Sequence, residues 1–221
     1  MSPDEAQLLA EIRSALTPLP PPLTNSSHGS DLFEAYILTL IVAAARSEGA
    51  TVTYETVAGA APTQFFFRTS PGHIYSRLHP YTHAVIDFGT RPPLEAHLGI
   101  LVSGRSRVLH ECDVAVLDRD EAAECRRDRA EPRSSKLLLS VEAKFYTTTL
   151  SLNLARGFIG LTSDLSTLFP CFVANMTSIS GMRLLAARKE RNWFDQVMTG
   201  RPSADRLSSF FATAFHHYKA R

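Results

Sequence analysis

The chain has 221 residues, enough for one sizeable core plus extensions, and its 44% hydrophobic and 20% charged residues are ordinary for a globular protein. A formal net charge of +1 excludes the global basic signature of a self-sufficient nucleic-acid binder, so any grip on a polyanion must come from local patches, a dimer or a partner. Three cysteines, Cys112, Cys125 and Cys171, with no CxxC pair argue against a disulfide framework and a structural zinc site and suit a reducing cytoplasm.

The N-terminus lacks a basic region followed by an apolar core, and no apolar run reaches the roughly 18 residues that span a bilayer, so a soluble cytoplasmic protein without membrane contact is expected. Leu8, Leu9, Ile12 and Leu16 recur at helical spacing after Ser2, a plausible cap. Residues 17–30, with Pro18, Pro20, Pro21 and Pro22, read as a linker that leaves this first helix to dock on the body or on a partner. The expected division is therefore 1–30, helix and linker, and 31–221, one domain. Asp31 and Glu34 sit at capping-box spacing before an almost wholly apolar stretch to Arg46, a buried helix.

A short strand is expected at 51–54, a small helix or turn at 55–60, a strand at 64–68, a Pro71-Gly72 turn, and strands at 83–88 and 95–102. A hairpin over 103–106 leads to the strand 110–117. Residues 118–136 carry mixed charges without an apolar stripe and read as a solvated connection, whose basic half, 126–136, can lie against a phosphate backbone. The apolar strand 137–145 follows. Leu150, Leu154, Phe158 and Leu161 then share one face of a helix, 171–176 is a short buried strand, and the last third is helical over 183–194 and from Ser203 to about Lys219. The order of elements implies an α/β fold with a mixed central sheet.

The strand 137–145 ends in Glu142, Ala143 and Lys144. Residues two apart on a strand share a face, so Glu142 and Lys144 project together while Val141, Ala143 and Phe145 face the other way. Asp113 begins an apolar run on the preceding strand. Two carboxylates on adjacent strands make a hard oxygen site suited to magnesium or manganese, and the lysine beside them can hold a phosphate or polarise water.

Asp113, a long connection, Glu142-Ala143-Lys144 and a following helix resemble the PD-(D/E)xK superfamily, the fold of many restriction endonucleases. The resemblance implies an αβββαβ core over about 31–176, with a helix before it and helices after. It implies that Asp113 and Glu142 bind the metal, that the Ala143 carbonyl is a further ligand, and that Lys144 orients or activates the attacking water. Many members add an acidic residue on the strand before the aspartate, which here is Glu95, and an acidic residue on the first core helix, which here is Glu34; Glu95 as a solvated strand end and Glu34 as a helix cap are the alternatives. Glu111, two residues from Asp113 and on the same strand face, is a secondary ligand candidate, with a solvated strand end as the favoured alternative. The sequence departs from the pattern in having Cys112, not proline, before Asp113.

Asn153 and Arg156, on the helix after the motif, can reach a scissile phosphate; Arg183, Arg188, Lys189 and Arg191, with Trp193 and Tyr218, can form a phosphate-contacting surface with stacking groups, or simply a solvated face. His73, His79 and His83 fit no zinc spacing, Ser178-Ile179-Ser180-Gly181 is no nucleophile elbow, and no Walker or dinucleotide-binding glycine pattern occurs. The expectation is thus a Mg2+- or Mn2+-dependent endonuclease acting on DNA, in a setting such as restriction or antiphage defence, working as a homodimer or with a partner protein that supplies recognition or gating. The alternative is a nuclease-like fold that acts as an inactive binding or assembly module.

Overall fold

The computed structural model describes residues 2–19, 21–24, 26–78, 81–188 and 192–221. His79, Lys189 and Arg191 lie outside the described residues. Seven strands stand side by side in chain order: β1 (Thr51–Thr56), β2 (Thr82–Asp87), β3 (Leu94–Ser103), β4 (Leu109–Asp118), β5 (Leu137–Lys144), β6 (Phe169–Ala174) and β7 (Trp193–Phe194). The first five pair antiparallel, and β5, β6 and β7 run parallel, so the sheet is mixed. Among the described residues six α-helices accompany it: α1 (Pro3–Ala15), α2 (Gly29–Ser47), α3 (Arg119–Asp128), α4 (Leu152–Asp164), α5 (Ile179–Ala187) and α6 (Pro202–Lys219). Parallel neighbours cannot be joined by a tight turn, and α4 supplies the crossover between β5 and β6.

One face of the sheet is covered by α1, α2 and α6. Leu8 and Ile12 of α1, Phe33, Ile37 and Ile41 of α2 and Phe211 and Phe215 of α6 share a core with Val114, Val116, Val141 and Ala143 of the sheet. The spacing 33, 37, 41 places three fully buried side chains on one stripe of α2, each contributing about 1.5–3 kcal/mol. The first helix is thus part of the main core. On the other face, α3, α4, α5 and the segment around Ile74 cover two smaller clusters. Among the described residues no helix is long and apolar enough to cross a membrane.

Four local expectations fail, each for a physical reason. The helix α2 begins at Gly29 with His28 as N-cap and no side-chain cap bond, so Asp31 and Glu34 form no capping box. Residues 64–68 are not a strand: Phe65 plugs the core against Tyr54 and Phe67, and Thr82 N–H donates to the Phe66 carbonyl at 2.9 Å. Trp193 belongs to β7 and not to a helix, because its ring lies flat on Phe172, 4.0 Å between centroids at 3°. The charged connection after β4 contains α3, whose buried side includes the charged Glu121 beside Ala122 and Cys125. An apolar stripe that narrow escapes a periodicity reading.

What holds α3 down is ionic. Glu95 on β3, fully buried, accepts two bonds from Arg126 of α3, at 2.7 and 2.8 Å, and its Oε2 lies 2.9 Å from His97 Nε2 and 3.5 Å from His83 Nε2. Arg119 pairs with Glu55 of β1 at 2.9 Å. Burial alone would raise the Glu95 carboxyl; the bonds from Arg126 and His97, with the His83 imidazole close by, reverse that and hold it well below the usual range. Burial pushes His97 down to about 4, so this imidazole is neutral in the folded chain.

Removing one partner of a buried pair strands the other charge. Glu95→Ala and Arg126→Ala should each cost about 3–5 kcal/mol in urea unfolding, with the paired Met substitutions recovering most of it. An unfolded histidine takes its proton near 6.5 whereas His97 resists to about 4, so acidification across that window favours unfolding. The urea midpoint should fall as pH drops from about 6.5 to 4.5, and less steeply in His97→Gln; equal slopes would show that His97 is charged in the fold.

Candidate active site

Asp113 stands where β4 and β5 part. The ladder between them reaches Val114–Val141. One residue further, the Asp113 side chain takes the place of a strand carbonyl: its Oδ2 accepts from Ala143 N–H at 2.7 Å and from Lys144 Nζ at 2.9 Å. Lys144 Nζ also lies 2.8 Å from Glu142 Oε1. One ammonium therefore bridges the two carboxylates, and their oxygens are less than two hydrogen-bond lengths apart. Val141 and Ala143 face the core shared with α2, which by alternation turns Glu142 and Lys144 to the opposite face.

Opposite Asp113 on β3 is Gly99, between the pairs Leu98–Val114 and Ile100–Cys112. Its φ is +56°, and the 68–72 segment packs close behind it, with Gly72 N–H donating to its carbonyl at 2.9 Å. A side chain there would be strained.

The triad opens into a cleft of about 430 Å³ walled by α4, whose Asn153, Leu154, Gly157, Phe158 and Leu161 face it, and by His110 and Glu111 of β4. Asp113 is buried, and Glu142 and Lys144 are about a quarter exposed at their side chains, 22% and 25%. His110 Nε2 meets Asp164 Oδ2 at 2.7 Å. This oriented imidazole, whose partner is 54 residues away, left no sequence signal.

The electrostatics are one-sided. Burial raises the Glu142 carboxyl, and Asp113 raises it further against the opposing pull of Lys144. Glu111 rises by burial and by Asp113. Glu34, on α2, is pushed up to about 8 by burial and by the Asp113 charge. For Lys144, burial works downward, but Asp113 and Glu142 more than reverse it, so the ammonium keeps its proton. Four carboxyl groups face one ammonium. The excess negative charge is relieved by protons, chiefly on Glu34.

Glu34 is therefore brought to the triad's surroundings. Glu95 is not. Its ladder partner Leu117 lies four residues beyond Asp113, roughly 13 Å along a strand at about 3.3 Å per residue, and its carboxylate is occupied by Arg126. The expectation that Glu95 joins Asp113 as a ligand is corrected on both counts. Glu95 instead meets His83 and His97, with one candidate ligand atom of each within 4.8 Å of the others. That group is already charge-balanced, Glu95 by Arg126 and Glu55 by Arg119, around the neutral His97. A dication would add two uncompensated buried charges, so the group is a structural ion-pair network.

Asn153 lines the cleft; Arg156, exposed, bonds Asn153 at 3.2 Å and turns toward Arg183 and α5. Arg188 is exposed at the end of α5. The expected stacking partners do not serve: Trp193 is taken up by Phe172, and Tyr218 is buried with its hydroxyl donating to the Pro92 carbonyl.

The donor chemistry fits a hard dication. Magnesium is held by one or two carboxylates and completes its shell with water and phosphate oxygens, and Asp113 and Glu142 provide that pair beside further negative charge.

The chain matches no known family, and neither curated proteins nor solved structures yield a significant match.

A carboxyl raised from 4.5 to about 8 in the fold contributes stability that is complete below the unfolded value and lost as pH rises toward the folded one. In chelator, Glu34→Gln should match the wild-type melting temperature near pH 5 and exceed it near pH 8.5. A variant that gains nothing at alkaline pH would show Glu34 ionised throughout.

Proposed function

We propose that this chain is a Mg2+- or Mn2+-dependent nuclease that hydrolyses phosphodiester bonds in DNA, built on a core like that of the PD-(D/E)xK enzymes it resembles in sequence. The observation that carries the reading is the meeting of Asp113, Glu142 and Lys144, from two neighbouring strands, at the mouth of a cleft with surplus negative charge. The alternation of a helix, a meander of strands, a crossover helix and a parallel strand is compatible with that core.

Asp113 and Glu142 would hold the ion, with the Ala143 carbonyl as a further ligand. When bound, the ion polarises a phosphoryl oxygen and acidifies a water. Ala143 N–H fixes the Asp113 carboxylate on the strand, so one ligand is positioned before anything binds. Lys144 stays cationic at neutral pH, which suits it to orient the attacking water and steady phosphate charge and not to remove a proton. Glu34, largely protonated at neutral pH, limits the repulsion among the carboxylates.

Lys144 pairs with both carboxylates, which is also how a structural ion pair in an inactive assembly module would look. Activity separates the two. Plasmid or oligonucleotide DNA should be cut with Mg2+ or Mn2+ and not in chelator, and Glu142→Gln and Lys144→Ala should each lower the rate by about 10²–10⁴-fold while melting cooperatively. Absence of cleavage in a folded wild-type chain with either metal would leave the module.

A further inference from the structure

We propose that the cleft between residues 73–78 and the C-terminal end of α3 binds a single-stranded stretch of polynucleotide, with Arg77 and Arg129 on its phosphates and a base against Tyr75. The cleft encloses about 700 Å³ and is larger than the triad's. His73, Tyr75, Arg77, Arg126, Arg127 and Arg129 line it, and among the described residues no carboxylate does. Not every cation is free. Arg126 is committed to Glu95, Arg127 pairs with Asp128 and Glu124, and His73 pairs with Glu131. Arg77 and Arg129 are both exposed, and among the described residues no acidic side chain lies within ion-pair distance of either. Among the described lining residues they are the two cations available to a ligand.

The aromatic element sits between them. His73 stacks on Tyr75 at 5.0 Å and 15°, and the Arg129 guanidinium stands 5.8 Å from the Tyr75 ring centre. That is near the outer limit of about 6 Å for a cation–π contact, so the guanidinium holds the ring only loosely and an outward swing of this exposed arginine admits a flat group. Cations along a groove with an accessible ring are the chemistry that binds phosphates and unstacked bases. The ring can be reached only by a base whose face is open, which a duplex conceals; this selects a single strand. Arg129 follows α3 in the left-handed conformation, with φ 55°, and its N–H donates to the Cys125 carbonyl, which fixes the backbone from which its side chain reaches out.

This cleft and the triad share one face of the sheet. Ile74, between His73 and Tyr75, packs in one buried cluster with Cys125 of α3 and with Leu165, which follows α4; Leu161 of α4 packs against that cluster and also lines the triad's cleft. A strand held in one groove can thus run toward the other. That second step rests on the nuclease reading; the binding does not.

The test is fluorescence anisotropy of a labelled single-stranded DNA oligonucleotide with the full chain in chelator, where nothing is cut. The Arg77→Ala/Arg129→Asn double variant, with asparagine chosen because it tolerates the left-handed conformation, should bind about tenfold more weakly and lower the log–log salt slope by about 1.4, two phosphates at roughly 0.7 each. Tyr75→Leu should weaken binding about tenfold at an unchanged slope. Melting temperatures near the wild-type value would show that the variants fold. Unaltered affinity in both variants, equal binding of the same sequence as a duplex, or displacement by a free mononucleotide at equal concentration would each overturn the proposal. Retained binding in a chain that cuts nothing with Mg2+ or Mn2+ would sink the nuclease reading and leave this one standing, and cleavage unaffected by all three substitutions would do the reverse.

Discussion

The architecture around the cleft depends on one carboxylate oxygen. Asp113 Oδ2 accepts both the Ala143 N–H and the Lys144 ammonium at the point where two antiparallel strands stop pairing. A backbone N–H buried at such a fork would be costly without an acceptor. The side chain supplies one, and in doing so is immobilised beside Glu142 and Lys144. The strand pair opens, the cleft against α4 has room to form, and its polar floor is set by the same contact.

Two buried charged groups lie on this face of the sheet, and they obey opposite rules. Around Glu95, carboxylates and guanidiniums match one to one and His97 is neutral. Such a group stabilises the docking of α3 and has no demand for another ion. Around Asp113, four carboxyl groups share one ammonium, and three of them, Glu34, Glu111 and Glu142, hold their protons more tightly than a free carboxyl does. An imbalance of that kind destabilises the free chain and is relieved by whatever positive charge arrives, a proton or a dication. The difference in charge balance, more than proximity of ligand atoms, separates a fastening from a site.

The helix α3 links the two. Its Arg126 fastens it to β3, its buried Cys125 joins the cluster that also supports α4, and its last residues present arginines to the groove beside Tyr75. This charged segment thus sets the wall of a cationic cleft, which matters for a chain of net charge +1 that has to attract any polyanion locally.

Period and residue type along the chain were enough to place Glu142 and Lys144 on one side of an apolar strand and Asp113 on its neighbour, because strand alternation is local and a run such as Leu137 to Val141 has few other ways to be buried. They were enough, too, for α2 as a buried helix and for the α/β class. They left Glu34 open between a cap and an accessory acidic residue, and they misplaced Glu95. Capping-box spacing is satisfied by many acidic residues that do not cap, and the start of α2 is decided by where the preceding segment lets the chain enter, so Glu34 ends up in no cap and within electrostatic reach of Asp113. Whether Glu95 at the head of β3 meets Asp113 or Arg126 depends on antiparallel register and on a helical arginine 31 residues later, neither of which is written in its neighbours. Alternation and hydrophobic periodicity report which side of an element is buried; only the assembled sheet decides which buried charges face each other, since that is a property of register between segments and not of any one of them.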